Sequence, residues 1–178
     1  MTTRDDIIEA IRTIDARIDP IRDRLIERGD HRLLEGDWRI RDALSHLAAR
    51  SNGVDRVIQR LRAAQAGTPV APMRNVDDIN AGQVEERRDA SVVELLDEIR
   101  AGHLAAIEAL NHVDDATLAT LLAQGFRPGD APVSDMILRS YPRVRCSNNA
   151  GIGRGCRCFR LIPGADEING LFPFTSSS

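Results

Sequence analysis

The chain has no lysine; all 24 of its Lys/Arg positions are arginines. Against 27 acidic residues they leave a formal net charge of −3, too balanced for a broad phosphate-binding surface. Using one base alone says little about mechanism and is a mark of GC-rich coding DNA. Aromatics make up only 3% of residues, with a single tryptophan. Three cysteines, Cys146, Cys156 and Cys158, form an odd, clustered set. That set suits neither a disulfide framework nor, on its own, a four-ligand zinc site. No apolar run approaches the roughly 20 residues of a membrane span. The opening MTTRDDIIEAIRT carries acids and no unbroken apolar stretch, so it is not read as a secretory signal. The expectation is a cytoplasmic protein without a membrane or nucleic-acid partner.

What is present is material for one core. Hydrophobic residues fill 42% of the 178 positions, one domain's worth of chain. The averages hide a break. Residues 1–140 hold 19 Arg against 25 Asp and Glu, two aromatics and no cysteine. Residues 141–178 hold 5 Arg against two acids, four aromatics, five glycines and every cysteine. This predicts a helical domain over residues 1–142 and an irregular tail over 143–178, rich in Gly and Pro and without an apolar period. Out-of-frame reading of GC-rich DNA yields this tail's Arg, Gly, Cys, Ser and Pro. A frameshift near Leu138 to Tyr141 is the reading we favour over a tail that is native.

Within the first segment the apolar spacing is helical. Ile7, Ile11, Ile14, Ile18, Ile21 and Leu25 make one stripe on a helix from about Arg4 to Arg28. A second helix is predicted from Asp37, as N-cap, to about Ala66, with Gly67-Thr68-Pro69 as its stop. A long connection follows, with a short helical stretch from Val76 to Arg88. Ser91 and Glu94 read as a capping box opening a third helix. Leu95, Leu96, Ile99, His103, Ile107 and Leu110 share its face. A short turn of helix is expected over Ala116 to Ala123, a loop over Gly125 to Pro132, and a shortened fourth helix over residues 132–141. Ile11, Ile18, Leu44, Leu47, Ile99 and Ile107 are expected to be buried together. The fold class is all-α, an up-down four-helix bundle with one long crossover and a truncated fourth helix.

His46 is the leading site residue. On a helix it neighbours Ala43, Ala49, Arg50 and Gly53, mostly small side chains that leave room beside the ring. A neutral imidazole is a good ligand for Zn, Ni or Fe(II). The plainer reading is a histidine at a helix seam satisfied by one hydrogen bond, and one histidine never makes a metal site. His103 falls on an apolar face and is read first as a packed core residue. His112 lies at a helix end and His31 in a turn. Cys156-Arg157-Cys158 lacks the usual gap of a chelating pair. The GIGRGC run has no strand before it, so a phosphate loop is a weak reading. Arg143, Arg145, Arg154, Arg157 and Arg160 read as a basic tail before they read as a nucleic-acid contact.

Asp37-Trp38-Arg39-Ile40-Arg41-Asp42 followed by Leu44-Ser45-His46-Leu47-Ala48 resembles the DinB-like superfamily, and within it the N-terminal domain of mycothiol-dependent maleylpyruvate isomerases. Asn80 to Arg88, Leu95 to Leu110 and Pro132-Val133-Ser134-Asp135-Met136 follow the same order of elements. The resemblance covers about residues 5–140. It implies a four-helix bundle holding one divalent metal with three histidines, or two histidines and a glutamate. One ligand comes from the helix-two histidine, here His46; the other two sit four residues apart on helix four. It further implies a metal-dependent transferase or isomerase acting on a low-molecular-weight thiol of mycothiol or bacillithiol type, with a small-molecule substrate. This chain has no histidine after His112, and YPRVRCSNNAGIG stands where the helix-four pair belongs. Only His46 carries over. The competing expectation is a non-catalytic helical-bundle binding or stress-related accessory protein. A homodimer is left open.

Overall fold

The isoleucine stripe becomes the buried face of α1 (Arg4–Ile18) in the computed structural model, which describes residues 2–33, 37–68, 75–123 and 129–141. Thr3 caps this helix. Its hydroxyl accepts from the Asp6 N–H at 3.1 Å, and the Asp6 carboxylate accepts from the Thr3 N–H at 2.9 Å. The single helix expected to Arg28 is interrupted. Pro20 has no N–H to continue the ladder. Asp19–Ile21 tighten into a 3-10 turn before α2 (Arg22–Glu27). The stripe survives, because Ile18, Ile21 and Leu25 all stay buried.

The second arm starts later than predicted. Asp37 is exposed and is not the cap. Leu33 N–H donates to the Trp38 carbonyl at 2.8 Å and Ile40 N–H to the His31 carbonyl at 3.0 Å. This isolated antiparallel bridge, Arg32 opposite Arg39, holds the chain extended until α3 (Ile40–Arg50) begins. Asp42 then accepts from the Arg39 N–H at 2.8 Å. The arm also breaks at Ser51 and Asn52, and α4 (Gly53–Gln65) resumes beyond them. Two backbone groups at this break are taken by Tyr141, described below.

α5 (Val76–Glu85) lies in the crossover and packs on α3, its first turn capped by Asn75. The Ser91–Glu94 box is in place, with N–H to side-chain distances of 3.2 and 2.7 Å, and opens α6 (Val92–Asn111). Ile11, Ile18, Leu44 and Ile99 are buried as expected. Leu47 and Ile107 are only half-buried, packed against the edge of the core. α7 (Asp115–Ala119) is shorter than expected, because β1 (Leu121–Ala123) pairs antiparallel with β2 (Asp130–Pro132), Leu122 opposite Ala131. Three-residue strands show too little alternation to be read from sequence. α8 (Val133–Leu138) buries Val133, Ser134, Met136 and Ile137 and then turns through Ser140 into buried Tyr141.

α6 packs on α1, α2, α3 and α4, and α8 closes against α1 and α4. The architecture is an all-α bundle with one small hairpin at its edge. No helix among the described residues is long and apolar enough to cross a membrane. The irregular tail expected over 143–178 lies outside the described residues.

Candidate functional site

His46 is half-buried on α3, between the ring of Trp38 and the side chain of Gln83 on α5. The Trp38 and His46 ring centroids are 5.5 Å apart in an edge-on arrangement. His46 Nδ1 lies 3.0 Å from Gln83 Oε1. An amide oxygen only accepts, so Nδ1 carries the proton and Nε2 keeps its lone pair. Burial first, then the positive charges of Arg50 and Arg56, lower the His46 pKa to about 4; the Gln83 bond opposes them. At neutral pH the ring is an uncharged imidazole.

This sets a pH dependence. Between the ordinary histidine value of 6.5 and about 4, the unfolded chain binds a proton that the folded chain refuses. Stability from this site is therefore fully present above 6.5 and is lost as pH falls through that window. The loss is on the order of 2–3 kcal/mol. Urea unfolding at pH 7 and pH 4.5 checks it. The difference should shrink in His46→Gln; an equal loss in both proteins would place the titration elsewhere.

Arg50 stands one turn after His46 on α3 and is half-buried. Its Nη2 donates to the Arg139 carbonyl at 3.3 Å, tying α3 to the end of α8. Loss of hydration, then repulsion from Arg56, lowers the Arg50 pKa. Arg56 is lowered by loss of hydration too, with Tyr141 acting the other way. Tyr141 binds the break between α3 and α4: its hydroxyl donates to the Ser51 carbonyl at 2.8 Å and accepts from the Gly53 N–H at 3.0 Å. Burial pushes its pKa up to about 12. Gly53 lets α4 approach closely here, since a Cβ at that position would overlap the Ser140 side chain.

Among the described residues, no three His, Cys, Asp or Glu side chains converge on a point that a metal ion could occupy. Arg139, Ser140 and Tyr141, which end the α8 arm, offer neither imidazole nor carboxylate. Arg50, one turn along the same helix, would repel a dication at the ring. The described residues supply one ligand and do not by themselves fit a metal centre. Cys146, Cys156, Cys158, the GIGRGC run and the tail arginines lie outside the described residues.

The other histidines do not join His46. His103 is buried, with Nδ1 2.7 Å from Asp15 Oδ1 and its ring edge-on to Tyr141 at 5.8 Å. It is a core residue satisfied by one strong partner. His112 caps the end of α6, exposed, 3.3 Å from Glu108. His31 is exposed in a turn. Gln83 belongs to the site and carried no sequence signal. Gln83 is 37 residues from His46 and reaches it only because α5 packs on α3.

Three comparisons bear on this geometry. The family model for the mycothiol maleylpyruvate isomerase N-terminal domain matches residues 15–140. A solved structure, "Sibling Lethal Factor Precursor - DfsB", is similar with a TM-score of 0.55 and 19% identity, covering 79% of this chain and 86% of that one. At that identity the likeness is one of fold alone. No curated protein matches the chain. The bundle, the placement of His46 on its second arm and the match over residues 15–140 together put this chain in the mycothiol maleylpyruvate isomerase N-terminal domain family, with the all-α DinB-like fold.

Proposed function

We propose that the chain handles a small molecule at His46, on the scaffold of a divalent-metal-dependent thiol transferase or isomerase of mycothiol or bacillithiol type, and that the metal set of such an enzyme is incomplete on its described residues. The observation that supports the site is the neutral His46 ring, oriented by Gln83 through Nδ1 so that Nε2 is the nitrogen left for a ligand. The observation against a resident metal is the absence of a second or third ligand among the described residues, with the Arg50 charge one turn from the ring. One imidazole in a positive field does not hold Zn, Ni or Fe(II) tightly.

The same lack of ligands among the described residues favours the second reading, a non-catalytic binding or stress-related accessory bundle. Metal content separates the readings. Chelator-washed full-length protein is reconstituted with Zn, Ni or Fe(II) and assayed beside His46→Ala. The expected result is substoichiometric metal that does not change on the substitution. Stoichiometric metal lost in His46→Ala would instead assign a working metallo-transferase, with Cys146, Cys156 and Cys158 the first ligands to replace by serine. Turnover of a low-molecular-weight thiol, measured on the same samples, decides between a transferase scaffold and an accessory one.

A further inference from the structure

We propose that α5 is a lid over His46, lifting from α3 to admit a small molecule to the imidazole and closing over it again. The proposal rests on the reading of His46 as the ligand site and adds how that site is reached. It stands on how lightly α5 is held. α6 buries six side chains, from Leu95 to Leu110. No described side chain of α5 is buried. Ile79, Asn80, Gln83 and Val84 are half-buried and form the one inward face, which rests on α3. The described side chains of α5 reach α3 by one hydrogen bond, which His46 Nδ1 donates to Gln83 Oε1 at 3.0 Å.

The anchorage is at one end. Arg87, two residues beyond α5, forks onto Glu98 of α6, with Nη2–Oε1 and Nε–Oε2 distances of 2.7 and 3.0 Å. Arg41 of α3 donates to the Ala90 carbonyl at 2.8 Å. The turn between α5 and α6 is thus clamped from two helices and serves as the pivot. At the other end the cap is internal to the segment, the Asp77 N–H donating to the Asn75 side chain at 2.9 Å. Ten residues are fewer than the roughly 12–15 that an isolated helix needs in water, so α5 keeps its form by resting on α3. Gly82 weakens it further, although a Cβ there would meet nothing within 4 Å and no contact requires a glycine. A segment with so few buried contacts opens by itself, far more readily than the bundle unfolds. Closed again, it shields a bound molecule from water.

Hydrogen exchange and histidine labelling test the lid on full-length protein without any ligand. Diethyl pyrocarbonate at neutral pH, read by peptide mass mapping, modifies the uncharged imidazoles that solvent reaches. Exposed His31 and His112 and buried His103 are internal references. Amides of α5 are expected to exchange roughly tenfold or more faster than the interiors of α3 and α6. His46 should be modified more slowly than His31 and His112 and faster than His103. Gln83→Ala should speed the modification of His46 roughly fivefold, the size of one hydrogen bond. Gln83→Glu keeps the acceptor and should not speed it. Gly82→Ala strengthens the helix without a clash and should slow it roughly fivefold. Ile11→Val, in the buried face of α1, weakens the whole core and should speed His103 while leaving His46 unchanged, because the core stays packed when α5 lifts. Amides of α5 as protected as those of α3, no effect of Gln83→Ala, or His46 rising together with His103 in Ile11→Val would each overturn the lid. Neither metal nor thiol enters these measurements, so a failed lid leaves the metal assay of His46 intact, and a failed metal assay leaves the lid.

Discussion

Replacing Leu44 by alanine is expected to destabilise the bundle by about 2–5 kcal/mol. Leu44 has no exposed surface and sits where α3 meets α6. The substitution removes buried methyl groups and leaves a cavity that two packed helices cannot close. Leu47, three residues on, is the useful comparison. Its side chain is half-buried at the core's edge, so solvent fills part of the space it leaves. Leu47→Ala should cost about 1–2 kcal/mol, the transfer term of a partly buried side chain with little cavity term. Urea unfolding midpoints at constant m-value measure both. Equal losses, or a larger loss at Leu47, would mean that α3 presents a different face to the core.

Gly102→Ala is expected to destabilise by about 1–3 kcal/mol, although helix propensity alone would stabilise α6 by about 1 kcal/mol. A Cβ on Gly102 would overlap the Ser51 hydroxyl and come within 2.6 Å of Ser51 Cβ and 3.2 Å of its backbone carbonyl carbon. Ser51 is poorly placed to yield. It is buried, its hydroxyl donates to the Ala48 carbonyl at 2.8 Å, and its own carbonyl accepts from Tyr141. α6 must therefore move away from the α3–α4 break, loosening the wall that also positions Arg50 and Tyr141. Pairing Gly102→Ala with Ser51→Gly should recover part of the loss in a double-mutant cycle. A net gain in stability from Gly102→Ala alone would show that propensity outweighs packing here and that the helices have room between them.

The helices themselves were readable because their signals are local. The isoleucine spacing marked α1 and α2, and Ser91 with Glu94 marked the start of α6. The family resemblance rested on the same kind of information, a run from Asp37 to Ala48 leading into and along one helix, and α3 carries His46 on the second arm. Local reasoning failed where a distant group intervened. Residues 51–53 carry good helix context on either side, and the arm was expected to run through them. It stops because Tyr141, 90 residues away, binds the Ser51 carbonyl and holds the Gly53 N–H. The N-cap moved from Asp37 to Arg39 because His31 and Leu33 bridge back to the start of α3.

The sequence by itself determined that this chain buries one amphipathic set of helices and places a histidine among small neighbours on the second. It also determined that no histidine follows His112, so the helix-four pair the family resemblance implies is missing. Only the tertiary structure decided the character of the site. Packing α5 on α3 brings Gln83 to the ring and sets its tautomer. The break between α3 and α4 gives Tyr141, from the end of the α8 arm, two backbone groups to bind. Periodicity records which face of a helix is apolar, but charge accumulates between helices. A neutral imidazole held by an amide from another helix is therefore a property of how the arms cross, and no single stretch of the chain spells it out.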